Sequence, residues 1–283
     1  MHIEPDHQML FETARRYDEG GDLYHAVKLY KKVVKLAPDW APPYRALGKI
    51  YRKRCEWKPA YHYWKKTVSL ESEDREAWWQ LGLAAVGLNK LGIAQSVWNK
   101  FGLGRLNHKK PLGLRIEHQD GFEVLWIQTL DAGRCRILSI PHPGSGLRYR
   151  HTMLYDRRNQ SGTHVVARRR VPIYEGVAAL KRSPYQTFSC LLHTGEEGMI
   201  NRLEQLCYEA GIGFEVWSNA ARVMTPESQA AFPEYYSDLL PKDQDKNSAL
   251  VALAAIHPAE VDRVLNDWQI ITLGKFSDLR SYQ

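Results

Sequence analysis

Apolar and small residues recur along the first third of the chain with a period of 34. Leu10, Tyr44 and Trp78 share one phase, Ala14, Gly48 and Gly82 a second, and Leu23, Trp57 and Leu91 a third. Ala26, Ala60 and Ala94, then Tyr30, Trp64 and Trp98, complete the set. Within each copy the spacing is helical, broken once by a short turn. In the second copy Tyr44, Leu47, Gly48 and Tyr51 fall at i, i+3, i+4 and i+7, one face of a first helix. After a turn near Cys55–Glu56, the residues Trp57, Ala60, Tyr61, Trp64 and Val68 build the face of a second. A two-helix unit of this length cannot bury its apolar face alone and must stack on its neighbours. The small residues mark where helices cross, and Tyr30, Trp64 and Trp98 fill the space they leave. Pro38 ends the first copy, since its ring cannot continue a helix.

These residues carry a family likeness. The order aromatic or Leu, Leu-Gly, Tyr, Ala, aromatic and closing Pro makes residues 7–107 resemble the tetratricopeptide repeat (TPR) family, most clearly in YRALGKIYRK and WKPAYHYWKKTVSL. The first copy has Thr13-Ala14 in place of Leu-Gly, and the third has Ala85 for Tyr and Leu106 for Pro. The resemblance implies a three-unit helical solenoid that binds a protein or peptide in a concave groove lined mainly by first helices. The residues expected there are Phe11, Arg15, Arg45, Lys49, Arg52, Lys53 and Trp79, with Glu76 and Leu83 beside them. Chaperone-binding members grip a ligand carboxylate with paired Lys and Asn residues. Here the corresponding places hold Phe11, Arg15, Ala46, Glu76 and Gln80, so that clamp is absent. A basic middle flanked by aromatics suits an acidic segment with an apolar anchor. The run from Arg45 to Lys53 fits a solvated helix face equally well.

From residue 111 the period changes to 2. Leu114–His118, Phe122–Leu130, Arg134–Ile140, His151–Tyr155 and His164–Arg170 read as short strands. Turn signals at Asp120-Gly121, Ala132-Gly133, Pro141–Gly146 and Asn159–Gly162 separate them. This spacing predicts a small SH3-like β-barrel over 111–182. Over 183–283 the order is strand (Thr187–Leu192), helix (Glu196–Ala210), strand (Ile212–Ser218), central strand (Ser248–Ile256), helix (Pro258–Trp268) and strand (Ile270–Phe276). Arg222–Thr225 extends the second strand, and Pro226–Asn247 reads as a long loop. That order predicts a ferredoxin-like βαββαβ domain. The whole chain is therefore expected to be multidomain α + β: 1–110 repeats, 111–182 barrel, 183–283 α/β domain.

Charge is uneven along the 283 residues, whose net charge is +7. Residues 1–110 carry 20 Lys/Arg and 12 Asp/Glu, residues 111–182 carry 12 and 6, and residues 183–283 carry 7 and 14. The basic barrel raises nucleic-acid binding as an alternative, through Arg148, Arg150, Arg168, Arg169 and Arg170. No ribonucleoprotein-type aromatic motif accompanies them, and a solvated sheet face also explains them.

Candidate chemistry is thin. Cys55, Cys135, Cys190 and Cys207 show no C-x-x-C spacing, which points to reduced thiols rather than a disulfide framework or zinc site. The histidines form no H-x-H or H-E-x-x-H pattern, and no phosphate-cradling glycine motif or G-x-S-x-G is present. The pair His142 with Tyr149 or Asp156 suits a pocket lining, and the weaker alternative is an enzyme with a pocket between the barrel and the ferredoxin-like domain. No run approaches the roughly 20 apolar residues of a membrane span, and the first residues lack the pattern of a secretory signal. The sequence thus predicts a cytoplasmic, non-catalytic interaction module with a protein or peptide partner, no cofactor, no metal and no membrane partner.

Overall fold

The computed structural model describes residues 6–100, 102, 112–118, 121–166, 169–219, 223–224 and 247–282. Its contacts divide the chain into two compact units. The first holds residues 1–106 with 131–133, and the second holds the remainder.

The first unit is built from three helix pairs: α1 (His7–Glu19) with α2 (Leu23–Leu36), α3 (Ala41–Lys53) with α4 (Trp57–Leu70), and α5 (Arg75–Gly87) with α6 (Leu91–Asn99). Aspartates start three of them. The Asp6 carboxylate accepts from Gln8 N–H, Asp22 from His25 N–H, and Asp74 from Glu76 and Ala77 N–H, meeting donors that the first turn leaves unpaired. The turn inside each pair follows the same 34-residue beat, a feature the apolar pattern does not reveal. Gly21, Cys55 and Asn89 adopt left-handed φ angles of 81°, 55° and 57°. The next residue's N–H then reaches back to Tyr17, Tyr51 and Ala85 carbonyls at 2.8–2.9 Å. This is the left-handed helix stop that glycine makes most easily.

Packing within the pairs follows the small-to-large rule expected from the repeat. A Cβ built on Gly48 would stand 2.7 Å from Trp64 Cε2, and one on Gly82 would stand 1.9 Å from Trp98 Nε1. Between pairs, Gly87 of α5 takes the Trp57 ring of α4, with a Cβ there 2.2 Å from Cδ2. Ala14, Ala26, Ala60 and Ala94 are buried as expected.

The second unit contains two sheets. Strands β1 (Leu112–His118), β2 (Gly121–Thr129), β3 (Arg134–Ile137), β4 (Thr152–Val166) and β5 (Arg169–Lys181) pair in chain order, and β1 closes the ring against both β2 and β5. An up-and-down ring of five strands must close with a parallel pair, and β1–β5 is that pair. Leu114, Leu125, Ile127, Cys135, Ile137, Met153 and Tyr155 fill its interior.

Three expectations change here. The predicted Asn159–Gly162 turn is a run of register irregularities inside the 15-residue β4. Such irregularities bend a long strand without ending it. The predicted His164–Arg170 strand instead straddles the β4–β5 reversal, with Val166 opposite Arg169. Residues 171–181, given no element by the sequence, extend β5.

Strands β6 (Gln186–Leu192), β7 (Gly213–Val216), β9 (Ala249–Ala255) and β10 (Phe276–Tyr282) form the second sheet in the order β10-β6-β9-β7, all antiparallel. Helices α7 (Glu197–Glu209) and α8 (Pro258–Thr272) pack on one face through Leu203, Cys207, Val261, Val264, Leu265 and Trp268. The other face carries Ile140, Trp217, Leu250, Ala252 and Ala254. With both faces covered, all seven residues of β9 are buried and read as one apolar run. The predicted strand at Ile270–Phe276 is corrected. Helix α8 continues to Thr272, Leu273 turns left-handed at φ 58°, and the strand starts at Phe276. The two-residue β8 (Val223–Met224) pairs with β2, so it belongs to the barrel sheet and not to the second one. Of the predicted Pro226–Asn247 loop, residues 226–246 lie outside the described residues.

Candidate partner-binding site

The residues expected to line the groove meet different fates. Trp79 is corrected: it is 0% exposed, stacked on Trp98 with ring centroids 5.0 Å apart, and its carbonyl accepts the Trp98 indole N–H at 3.2 Å. It is core, and so are its helix neighbours Gln80, Leu81 and Leu83. Phe11 is half-buried, its ring 4.8 Å from that of Trp40 and 5.4 Å from that of Tyr30.

Arg45 is committed within the repeats. Its guanidinium bonds the Glu71 carboxylate and lies 2.7 Å from Asp74 Oδ2, bridging α3 to the α4–α5 turn. The Asp74 contact is an ion pair without hydrogen-bond alignment, because Oδ2 has no hydrogen-bond partner. Asp74 also caps α5 through Oδ1, so one residue serves both the helix start and the inter-repeat tie. Arg15 is exposed but paired on its own helix, to Glu12 at 2.9 Å and Glu19 at 3.5 Å. Arg52 is half-buried.

Lys49 and Lys53 are what this face offers outward. They are exposed and one helical turn apart on α3. Both act on Asp18 of α1: burial raises the Asp18 carboxyl above its usual range, and the charges of Lys53 and Lys49 oppose that rise. Tyr30, beneath, is pushed up to about 12, first by burial and next by the Asp18 charge. With the Glu19 carboxylate paired to Arg15, two exposed ammonium groups beside the half-buried Asp18 carboxylate leave positive charge available to a ligand.

A second concavity was not legible in the sequence. It is an open cleft of about 590 Å³ between α4, α5 and α6. Val68, Leu81 and Val97 supply its apolar surface, Tyr61 and Trp78 its aromatic one, and His62, Lys65 and Lys66 its basic one. The Trp78 indole N–H donates to the Ser72 carbonyl at 2.7 Å, which fixes the ring. The Lys100 ammonium sits 4.2 Å from the Trp78 ring centroid, and that of Lys90 sits 5.0 Å from the Tyr61 ring centroid. Each is within cation–π range.

Of the five barrel arginines expected to meet nucleic acid, the side chains of Arg148 and Arg150 lie among those described. Arg148 is half-buried, and its N–H donates to His151 Nδ1 at 2.8 Å. Arg150 is exposed, with φ 67° and its guanidinium 5.2 Å from the Tyr149 ring centroid. Arg168 lies outside the described residues, as do the side chains of Arg169 and Arg170. His142, Tyr149 and Asp156 each make a local contact. His142 Nδ1 accepts from Gly144 N–H, Tyr149 packs edge-on to Tyr185, and Asp156 accepts from Arg158 N–H. The His142 loop is pinned by two carboxylates: wholly buried Glu123 accepts from His142 N–H, and Glu215 accepts from Ile140 N–H at 2.8 Å. These bonds satisfy the backbone of a buried loop.

Among the described residues, no cluster of three or more His, Cys, Asp or Glu has the arrangement to hold a metal ion. Cys135, Cys190 and Cys207 are buried and Cys55 is exposed. Burial pushes the Cys190 and Cys207 thiols up to about 12, away from the reactive thiolate form. No helix among the described residues is long and apolar enough to cross a membrane.

No protein-family model matches the chain. Solved structures similar to parts of it include the MamA protein, at 20% identity and a TM-score of 0.32, with 34% of this chain and 52% of that one covered. The chain therefore spans about half the length of MamA. The first TPR of Spaghetti (RPAP3), bound to the HSP90 peptide SRMEEVD, is similar at 20% identity and a TM-score of 0.32, covering 35% of this chain and 80% of that one. A hypothetical protein from Neisseria gonorrhoeae is similar at 10% identity and a TM-score of 0.27, covering 61% and 95%. Scores this low carry no functional weight, and the helical repeats stand on the three helix pairs themselves.

Proposed function

We propose that the chain is a non-catalytic interaction protein whose first unit is a TPR solenoid that captures an acidic protein or peptide segment. On this reading the second unit is an SH3-like barrel joined to a ferredoxin-like domain, a fold pairing that by itself assigns no chemistry. The carrying observation is the exposed Lys49–Lys53 pair on α3. Every other cation expected in the groove is half-buried or already paired, whereas these two keep their charge outward. Exposed charges of this kind steer and select a partner more than they stabilise the fold.

The test is capture of binding proteins from the source cell by the immobilised full chain, compared with the Lys49→Glu/Lys53→Glu variant. Loss of the same captured species at an unchanged melting temperature supports the groove. Undiminished capture by the variant would falsify it.

A further inference from the structure

We propose that the cleft between α4, α5 and α6 is a second binding site, which takes a segment presenting one large apolar side chain flanked by carboxylates. Three observations fit that occupant and no other chemistry as well. The cleft's size, about 590 Å³, and its surface of Val68, Leu81 and Val97 beside the Trp78 ring suit a buried apolar anchor. Its charged lining is of one sign: Lys65 and Lys66 border it, and no Asp or Glu is among its lining residues. A cationic or neutral polar ligand gains nothing from such a border, whereas an acidic one gains attraction at close range without repulsion.

The aromatic walls are also set in advance. Trp78 is held by its bond to Ser72 and by the Lys100 ammonium over its ring. Rigid aromatic anchors lose little freedom when a ligand arrives, which favours binding. The site belongs to α4, α5 and α6, whereas Lys49 and Lys53 lie on α3. The inference therefore does not rest on the groove proposed above.

The probe is a blocked pentapeptide, Glu-Asp-Phe-Asp-Glu, titrated into the isotope-labelled full chain while the Trp78 indole resonance is followed. That resonance is assigned by its loss in Trp78→Phe. The expected result is a saturable shift of this indole. Replacing the peptide's Phe by Ser, or its acids by Lys, should weaken binding at least about tenfold, the loss of an apolar anchor or of close-range charge attraction. Lys65→Glu/Lys66→Glu should weaken it similarly at unchanged melting temperature, and Lys49→Glu/Lys53→Glu should leave it unaltered. A still indole, an equal response to the Lys-bearing peptide, or shifts confined to α1 and α3 amides would overturn the proposal.

Discussion

Gly82 and Trp98 occupy one another's space: a methyl group on Gly82 would stand 1.9 Å from the Trp98 indole nitrogen. That nitrogen donates to the Trp79 carbonyl, and the two indoles stack, so any push on Trp98 is felt by both. The contact recurs 34 residues earlier between Gly48 and Trp64, at a looser 2.7 Å.

Gly82→Ala should therefore destabilise the helical unit. In an open helix the change gains up to about 1 kcal/mol, but overpacking a rigid core costs about 1–3 kcal/mol and the indole bond adds about 1 more. Gly48→Ala should cost less, because its neighbour has less distance to give. Gly92, which has nothing within 4 Å of its added Cβ, is the control and should be neutral or stabilised as Ala. Denaturant melts monitored by helical circular dichroism give the ranking, and a stabilised Gly82→Ala contradicts the packing described.

Cys55 holds a left-handed angle that a side chain resists, at a cost of about 1–2 kcal/mol. Cys55→Gly should recover part of that and raise the melting temperature, less the added freedom of glycine in the unfolded chain. Asn89→Gly should change little, because Asn tolerates this region. Gly21→Ala should be destabilising by about 1 kcal/mol.

Arg45 should behave as a structural residue. Arg45→Ala leaves the half-buried Glu71 and the better-buried Asp74 without their cation. Since Arg45 is itself 32% exposed, solvent screens part of the pair, and the loss should be about 1 kcal/mol. Lys49→Ala and Lys53→Ala should each stay within about 0.5 kcal/mol of the parent. Thermal melts of the three variants separate the roles, and equal effects for Arg45 and Lys49 would contradict them.

His151 makes stability fall on acidification. Burial, and then the charges of Arg148 and Arg182, hold its imidazole below the usual 6.5. Its Nδ1 accepts the Arg148 N–H, so the ring proton is on Nε2, which is buried with no hydrogen-bond partner. Protonating Nδ1 breaks the first bond and places a cation beside two others. The unfolded chain binds the proton more readily, so this contribution is complete above about pH 6.5 and is lost as pH falls toward the lowered folded value. His151→Asn should flatten the slope of melting temperature against pH just below 6.5, and an unaltered slope would assign that dependence to other groups.

The repeats were legible because each small-to-large contact is a local pair, repeated three times at fixed spacing. Trp79 misled because helical phase places it off the packing face. That argument assumes a polar outer side, and α5 runs AWWQLGLAAVG with almost none. A helix that is apolar on most sides is buried well beyond its packing face, so its composition held the signal that its phase obscured. The α4–α6 cleft was invisible for another reason: Trp78, Val68 and Val97 come from three helices, and no periodicity within one of them shows where they meet. In the second unit, strand ends failed where a bulge mimics a turn in β4, and where the apolar Ile270 and Ile271 end a helix instead of starting a strand. Ile270 is 75% exposed there.

The short β8 gives the second unit an awkward birth. The chain leaves the barrel after β5, lays down β6, α7 and β7, returns to β2 through β8, and only then supplies β9, which pairs with both β6 and β7. A ribosome releasing this chain from its amino end delivers the helix pairs one complete hairpin at a time. It then delivers β6 and β7 as edges with no second-sheet neighbour until residue 249 has emerged. Partners so distant in sequence are slow to meet, and unpaired edges are where nascent chains stick to one another. The first unit should be able to fold while it is still being made, whereas the sheet of β6 and β7 must wait for β9.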